Sequence, residues 1–326
     1  MKRVFIYWGP HLLHWEWGQL VCDKSVAIIP RFLPHSWRFI TPITQFFSVL
    51  SALYTPRADT YFLEGFNCII PAWLHKRKGT KIIMINSDTT FIVSKDWRGI
   101  KQWLFRKLLP SVDGMISTST YIKEIADKAH KVPNYVVNPY VGAKFFNVKS
   151  RGGNNLIQIG GLRDGKGTDL LLKTFDLVRK KLHNKLICAG PVLEKQYAKA
   201  YQDNHITVTG WTDKPEIFLA QAGYYVNLSR HDSFGVSVLE AMAAGVIPIV
   251  SEQCGAKDVV RQLDTGLIVP LDPKRAAQAI LSLEKNPKKK QELSVKGRIL
   301  AKTYTREKCM KQFLLAFTKL EEEMHA

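Results

Sequence analysis

Cysteine is scarce in this chain of 326 residues, and the few cysteines present are not spaced for metal or disulfide chemistry. The five are scattered, without a CxxC pair or the spacing of zinc ligands. This distribution argues against a disulfide framework or a zinc site and favours a reducing compartment. The sequence also lacks the GxxxxGK[ST] pattern, which excludes a P-loop nucleotide site.

Long hydrophobic runs are missing as well. The first ten residues, MKRVFIYWGP, contain neither the extended apolar run nor the cleavage site of a secretory signal. The most apolar stretch, residues 39–55, is interrupted by Pro42 and Gln45 and is too short and too polar for a transmembrane span. We therefore expect a soluble cytoplasmic protein.

Negative charge is in short supply, since the formal net charge is +19. The excess is spread along the chain, +11 over residues 1–150 and +8 over residues 151–326. Such basicity indicates a polyanionic partner, which could be an anionic membrane surface, a phosphorylated substrate or a nucleic acid.

What the chain does contain is a regular alternation of short apolar runs and helical patterns, which predicts α/β units with parallel sheets. Its length favours two domains, and the polar, glycine-rich segment NVKSRGGNN predicts their junction near residue 150. The predicted strands are Val4–Tyr7, Val26–Ile29, Thr60–Leu63, Lys81–Ile85, Gly114–Ser117, Tyr135–Val137, Leu156–Ile159, Lys185–Ala189, Ile206–Thr209, Gly223–Leu228, Ile247–Ser251 and Gly266–Val269. The predicted helices are Trp97–Leu109, Ser119–Ala129, Thr168–Leu182, Lys214–Gln221, Val236–Ala244, Ala256–Leu263, Lys274–Leu283, Lys288–Thr303 and Arg306–Glu322.

The segment LIQIGGLRDGKGTD is the first candidate site. A strand ends before Gly160 and Gly161, and Arg163 and Lys166 follow just before a helix. Glycines allow a ligand to approach the backbone closely, and cations beside a helix start favour a phosphate group. The alternative is an ordinary strand-to-helix turn with solvated charges.

The segment RHDSFGVSVLEAMAAGVIPIV is the second candidate site. Asp232 lies in the loop after a strand, and the amide groups of Gly235, Val236 and Ser237 would open the next helix and favour a phosphate. Glu240 lies one turn further on. In the alternative interpretation Asp232 caps the helix and Glu240 is a surface residue, which explains the first carboxylate better than the second.

This second segment resembles the donor domain of family 4 glycosyltransferases, whose pattern is Ser-x-x-Glu-Gly-Phe-Gly, a second Glu eight residues after the first, and Ala-Met-Ala-x-Gly-x-Pro. The chain has Ser229, Asp232, Phe234 and Gly235, then Glu240 and the residues AMAAGVIP. Three further segments resemble the family in the same order: IGGLRDGKG, VTGWTDKPEIFLAQAGYYVNLS and TGLIVPLDPKRAAQAI. The resemblance covers about residues 110–285.

The resemblance implies an α/β protein of the GT-B fold, with two Rossmann-like domains whose parallel sheets face each other across a cleft. Residues 1–150 would bind the acceptor and residues 151–305 the nucleotide-sugar donor. The last helix, within residues 306–326, would cross back to the first domain.

The resemblance also implies roles for individual residues. Lys166 would neutralise the diphosphate of a nucleoside-diphosphate sugar, and Glu240 would hold the ribose. Asp232 and the backbone of residues 234–236 would contact the sugar and its phosphate. Gly210 and Trp211 would lie near the base. The activity implied is hexosyl transfer with retention of anomeric configuration and without a metal or other cofactor, and the absence of an Asp-x-Asp motif agrees with this.

The chain departs from the family pattern at several positions. The first acid is Asp232 instead of Glu, and Gly161 occupies the position of the family's Arg, for which only Arg163 could substitute. Where the family often places His-Asp, the chain has Ser87 followed by Asp88. These departures keep open the alternative of a catalytically silent relative that binds a sugar nucleotide or acts as a scaffold.

The first half of the chain is expected to bind the acceptor, a glycan, a lipid-linked sugar or another hydroxyl compound. Gly9 is the candidate glycine of the N-terminal loop, and His11, His14 and His35 are candidates for lining the acceptor cleft.

The segment KDWRGIKQWLFRKLLP predicts a basic amphipathic helix, either docking on an anionic bilayer or packed on the core with a solvated basic rim. A nucleic-acid partner is the weaker interpretation, because no recognised binding module is present. The apolar stripe predicted for this helix consists of Trp97, Ile100, Leu104 and Leu108.

Overall fold

The computed structural model describes residues 1–9, 12–28, 41–148 and 153–325. For residues 41–45 and residue 325 it describes the backbone only. The chain forms two compact units. The first unit comprises residues 1–138 and 309–326, and the second comprises residues 139–308.

The first unit contains a parallel sheet of six strands among the residues described, in the order β2-β1-β3-β4-β5-β6. The strands follow short apolar runs because a parallel sheet is covered on both faces. All six predicted strands are confirmed, with ends shifted by up to two residues. They are β1 (Arg3–Tyr7), β2 (Lys24–Ala27), β3 (Thr60–Leu63), β4 (Lys81–Asn86), β5 (Gly114–Ser117) and β6 (Asn134–Val136).

Helices connect these strands and pack on the sheet. One core contains Ile82 and Met115 of the sheet together with residues of the helices, including Ile69 and Phe105. The last helix of the series begins where the Ser119 hydroxyl accepts a hydrogen bond from the Ile122 amide at 3.2 Å, a typical N-terminal cap. The helices are α1 (Leu12–Val21), α2 (Thr41–Ser51), α3 (Ile69–His75), α4 (Thr90–Val93), α5 (Gly99–Leu108) and α6 (Thr120–Ala129).

The second unit repeats the architecture, and its described residues form a parallel sheet of six strands in the order β12-β11-β10-β7-β8-β9. The six strands predicted here are also confirmed. They are β7 (Leu156–Ile159), β8 (Leu186–Ala189), β9 (Ile206–Val208), β10 (Tyr224–Asn227), β11 (Ile247–Ser251) and β12 (Ile268–Val269). The helices are α7 (Thr168–Leu182), α8 (Pro215–Leu219), α9 (Val236–Ala243), α10 (Lys257–Arg261), α11 (Pro273–Glu284) and α12 (Pro287–Ala301).

The last helix, α13 (Arg306–His325), begins in the second unit and belongs to the first from residue 309 on. Phe313 stacks on Trp17 of α1 with ring centroids 4.9 Å apart and planes 3° from parallel. Near its end, the Glu321 carboxylate accepts two hydrogen bonds of 2.8 Å from the Arg3 guanidinium. Aromatic packing and this ion pair therefore attach α13 to the first unit.

The prediction of an apolar stripe on the basic helix α5 is only partly correct. The helix begins at Gly99, so that Trp97 precedes it, and Ile100 points into solvent instead of into the core. The packed side carries Phe105 and Leu108, and Trp97 meets the Phe105 ring edge-on with centroids 5.5 Å apart. Across the described residues, we find no helix whose length and apolar character would let it span a bilayer.

Candidate active site in the second unit

The loop between β7 and α7 lies against the end of β10. Gly160 follows β7 with a φ of 122°, and Gly167 precedes α7 with a φ of 65°, both in the region that favours glycine. A Cβ atom on Gly167 would lie 2.0 Å from the carbonyl oxygen of Leu228. Only glycine permits this approach, which brings the preceding residue, Lys166, to the carboxyl end of the sheet.

Lys166 and Asp232 meet at this edge. The Lys166 ammonium lies 2.8 Å from Asp232 Oδ2, and the amide of Asn227 donates to the same oxygen at 3.2 Å. The Asp232 side chain is buried, and its backbone is held by Gln253 and Gly255. The carboxylate thus binds a cation and does not cap α9, contrary to the alternative interpretation of this residue.

Helix α9 begins directly beside this ion pair. Its first flanking residue, Gly235, has a φ of 85° and supplies no capping side chain. A Cβ atom there would lie within 3.3 Å of Asn227, Asp232 and Cys254. Phe234 is buried behind the turn, where its carbonyl accepts a hydrogen bond from the Cys254 thiol. The positive end of the α9 dipole is therefore close to the Lys166–Asp232 pair.

The first turn of α9 carries Val236 and Ser237, both partly exposed. The Ser237 hydroxyl forms a 2.6 Å hydrogen bond with the hydroxyl of Tyr225, a buried residue of β10. This contact ties the helix start to the sheet. Backbone amides at such a helix start are suited to an anionic ligand.

Glu240 lies one turn further along α9 and is not the solvated surface residue of the alternative interpretation. Burial raises the pKa of its carboxyl group to about 7, although Lys144 lowers it and Glu216 raises it further. The Lys144 ammonium lies 2.9 Å from the Glu216 carboxylate and donates to the Asp213 carbonyl at 3.1 Å. Lys144 was not predicted, because only the fold brings the turn at residues 143–147 to α9.

The turn after β9 presents a large aromatic side chain. Gly210 has a φ of 69°, and the next residue, Trp211, is 82% exposed. An exposed indole ring offers a flat surface on which a planar ligand group stacks. The structure does not bring Trp211 into the Lys166–Asp232 contacts described above.

Gly161 and Arg163 lie in the same loop between β7 and α7 as Lys166. A Cβ atom on Gly161 would lie 2.4 Å from Cδ1 of Leu193, so the leucine fills the place of a side chain there. Arg163 is exposed, and its backbone exchanges hydrogen bonds with the Thr168 hydroxyl. Among the ion pairs found in the described residues, none involves the Arg163 guanidinium.

Arg230 is a site residue that the sequence did not indicate. Its guanidinium makes two hydrogen bonds to the Asp169 carboxylate, at 2.8 and 2.9 Å, and a third to the Asp164 carbonyl at 2.6 Å. These bonds to Arg230 lower the pKa of Asp169. Arg230 therefore clamps the loop that carries Lys166 onto the segment that carries Asp232.

In the first unit, an unpredicted acid organises the N-terminal loop. Glu64 follows β3, and its Oε2 accepts hydrogen bonds from the amides of Trp8 and Gly9 at 2.9 and 3.0 Å. Its Oε1 lies 3.2 Å from Nδ1 of His14, and both side chains are buried. The sequence signal that could have identified Glu64 is its place directly after a predicted strand. Glu64 thus brings together Gly9 and His14.

Asp88 lies beyond the end of the neighbouring strand β4. Its Oδ1 accepts a hydrogen bond of 2.8 Å from the Thr90 amide at the start of α4. Its Oδ2 would lie 3.3 Å from a Cβ atom on Gly65.

His11 and His35 lie outside the described residues, so their predicted roles stay predictions. Among the described residues, we find no group of three or more histidine, cysteine or acidic side chains placed to hold a metal ion.

Comparison with known sequences finds similarity to glycosyltransferases. Residues 143–300 match the family model described as glycosyl transferases group 1. The chain is 25% identical over 250 residues to an uncharacterized glycosyltransferase of Methanocaldococcus jannaschii. The aligned region covers 74% of this chain and 68% of that protein. The chain is 30% identical over 140 residues to the GDP-mannose:cellobiosyl-diphosphopolyprenol alpha-mannosyltransferase of Xanthomonas campestris, covering 38% of this chain and 36% of that protein.

Solved structures show the same fold over almost the whole chain. Sucrose-phosphate synthase from Thermosynechococcus elongatus has a TM-score of 0.75 at 14% identity, covering 99% of this chain and 100% of that one. Anabaena HepE in complex with UDP-glucose has a TM-score of 0.76 at 12% identity, covering 98% of this chain and 100% of that one. Residues 143–300 thus resemble the group 1 glycosyl transferases, and the chain has the GT-B fold.

Proposed function

We propose that the protein transfers a hexose from a nucleoside-diphosphate sugar to a hydroxyl acceptor, with retention of anomeric configuration and without a metal. The observation that carries this proposal is the meeting of Lys166, Asp232 and the start of α9 at one edge of the second sheet. Two similar structures add support, since HepE was solved in complex with UDP and with UDP-glucose.

The chemistry follows from the charges at this edge. When the bond from the anomeric carbon to the diphosphate breaks, negative charge develops on the leaving diphosphate. The Lys166 ammonium and the amides of Val236 and Ser237 are fixed groups of the sign needed to stabilise it. Asp232 holds Lys166 in position and faces the donor sugar. Glu240, when ionised, accepts hydrogen bonds from the ribose hydroxyls.

We propose that the first unit binds the acceptor, a glycan or a lipid-linked sugar, and that the protein works in the cytoplasm. Glu64, Asp88 and His14 all follow or face the carboxyl ends of strands in the first sheet, where open α/β sheets bind ligands. A lipid-linked acceptor is favoured by two relatives, named as acting on cellobiosyl-diphosphopolyprenol and on Man(3)GlcNAc(2)-PP-Dol.

Thermal-shift screening against UDP, GDP, ADP and dTDP sugars identifies the donor, and turnover then tests the roles. Lys166→Ala should lower kcat by roughly two to three orders of magnitude, the usual effect of removing one fixed charge donor at a leaving group. Lys181→Ala, an exposed lysine at the far end of α7, is the matched control. Product configuration is read by NMR, and a chelator should leave the rate unchanged. A chain that no donor stabilises, or a Lys166→Ala variant with full turnover, contradicts the proposal.

One observation favours a second candidate, a silent relative that binds a sugar nucleotide without transferring the sugar. Leu193 fills the space beside Gly161, where the family pattern has a cation. This candidate predicts donor binding by calorimetry with neither hydrolysis nor transfer across a panel of acceptors. Turnover that appears only after the double substitution Gly161→Arg with Leu193→Ala would support it, and turnover by the native chain would exclude it.

A further inference from the structure

Helix α2 of the first unit presents a row of large apolar side chains to solvent. Phe46, Val49 and Leu50 recur at helical spacing, and Leu53 continues the row in the turn that follows. Their exposed fractions are 62%, 54%, 38% and 83%, respectively. A contiguous exposed apolar row of this kind marks an interaction site and is unusual on the surface of a monomeric soluble protein.

The opposite side of α2 is attached to the first unit largely through small polar residues. Ser48 and Ser51 are buried, and the Ser48 hydroxyl donates to the Asn67 carbonyl at 3.2 Å. His75 of α3 contacts the Ala52 carbonyl at 2.8 Å, and Phe47 packs against the core. A surface helix of a soluble protein normally turns its apolar side inward. In α2 much of the apolar side faces solvent, because the side with the serines packs on the first unit.

The same surface extends over α3 and α5. Strands β2, β3 and β4 are followed by α2, α3 and α5, and each next strand lies further in one direction of the sheet. Right-handed crossovers in one direction put the helices on one face, and α3 packs against both α2 and α5. On α5, Ile100 is 77% exposed and Trp103 is 57% exposed, and α3 exposes Leu74.

Cations surround these apolar groups. Lys107 Nζ lies 4.7 Å from the Trp103 ring centroid and 5.8 Å from that of Trp73. Lys101 Nζ lies 3.9 Å from the centroid of Trp97. Of the ion pairs formed by described residues of the first unit, none includes Lys101, Arg106 or Lys107. The positive charge of this surface is therefore not neutralised by neighbouring carboxylates.

A basic cavity continues this surface on the other side of α5. It has a volume of about 400 Å³, and its lining includes the apolar side chains of Phe91 and Ile125. Its lining also contains Lys95, Arg106 and Lys128. A cavity lined by both cations and apolar side chains suits an amphiphilic anion.

We propose that the outer surface of α2, α3 and α5 docks on an anionic lipid bilayer. This docking face is defined by Phe46, Val49, Leu50, Leu53, Leu74, Ile100, Trp103, Lys101, Arg106 and Lys107. Its apolar side chains enter the boundary between headgroups and acyl chains, the Trp103 indole lies at headgroup level, and the cations bind lipid phosphates. A nucleic acid would leave the apolar row without a partner, and a second copy would oppose two faces of the same charge.

The test is cosedimentation of the full chain with two kinds of vesicle, phosphatidylcholine alone and phosphatidylcholine mixed with phosphatidylglycerol. The native chain should bind the mixed vesicles and release them at high salt. Phe46→Ser with Leu53→Ser should weaken binding at least about tenfold, because two apolar side chains that the bilayer would bury are lost. Ile299→Ser with Leu315→Ser, two exposed apolar residues elsewhere, should bind as the native chain does.

The charged part of the docking face is tested separately. Lys101→Ala with Lys107→Ala should weaken binding to the mixed vesicles roughly twenty- to thirtyfold, the effect expected for two cations near an anionic surface. The control Lys285→Ala with Lys288→Ala removes the same charge from exposed residues of the second unit. Circular dichroism of every variant verifies folding, and none of these measurements needs a sugar donor, so they do not depend on the proposed activity.

Several results would overturn the proposal. The native chain fails to bind the mixed vesicles, or the control variants lose as much binding as the docking-face variants. Loss of retention on DNA by the lysine variant, with vesicle binding intact, would assign the surface to a nucleic acid. A native dimer that Phe46→Ser with Leu53→Ser converts to a monomer, again with vesicle binding intact, would assign it to a second copy.

Discussion

The protonation of Glu240 gives the sharpest test of how the second unit is built. Burial on α9 raises the pKa of this carboxyl group from the ordinary value of 4.5 to about 7. The opposing effects of Lys144 and Glu216 leave burial dominant. Between these two pH values the folded protein keeps a proton that the unfolded chain has released.

The sign and size of the effect follow from proton linkage. Because the folded state binds more protons than the unfolded state between pH 4.5 and 7, stability falls as pH rises through this range. The difference between the two pKa values of Glu240 corresponds to about 3 kcal/mol of unfolding free energy. Below pH 4.5 both states carry the proton, so the penalty is absent there, and above pH 7 it is fully present.

Glu240→Gln replaces the acid by a neutral group of the same shape and should remove this dependence. The variant should differ from the native chain by a few tenths of a kcal/mol near pH 4 and be more stable by about 3 kcal/mol near pH 8. Urea unfolding followed by circular dichroism measures both values. Glu292→Gln, an exposed position on α12, controls for the loss of one negative charge. A stability difference that stays constant across this pH range would refute the reasoning.

Two further predictions concern the loop that carries Lys166. Gly167→Ala should destabilise the protein by about 2 kcal/mol or more, because a Cβ atom there meets the Leu228 carbonyl and the left-handed backbone disfavours alanine. Gly165 is in the same loop, and a Cβ atom added there would have no neighbouring atom within 4 Å. Gly165→Ala should therefore leave the free energy of unfolding unchanged, and urea titration measures both variants. Arg230→Ala should raise the donor KM and speed hydrogen exchange across residues 163–167, because the clamp on Asp169 is lost. Asp169→Asn should have the same effect, and the double variant should add little, whereas additive effects would show that the pair does not act as a unit.

The strands were predictable because their signal is local. A strand covered on both faces needs an unbroken apolar run, and Val4–Tyr7 or Ile247–Ser251 shows this without reference to the rest of the chain. Helix α2 was not predicted, since much of its apolar side faces solvent and its buried side contains serines. Pattern recognition assumes that apolar residues point inward, and α2 breaks that assumption.

At the candidate site, the residue types were predictable and their partners were not. Lys166 and Asp232 were singled out by their settings, but they are 66 residues apart and meet only because two loops end at one sheet edge. Glu64, Lys144 and Arg230 were missed because an isolated acid or base gives no sign of what it will contact. Their contacts arise from segments that the fold brings together.

The sequence by itself determined the α/β class, the parallel strands and the glycosyltransferase resemblance, because periodicity and motif order are properties of the linear chain. Only the tertiary structure decided that Glu240 is partly buried with a raised pKa, that Leu193 fills the space beside Gly161, and that α2 turns its apolar side outward. Burial, charge interactions and steric contact depend on distances in space, and residues far apart in sequence set those distances.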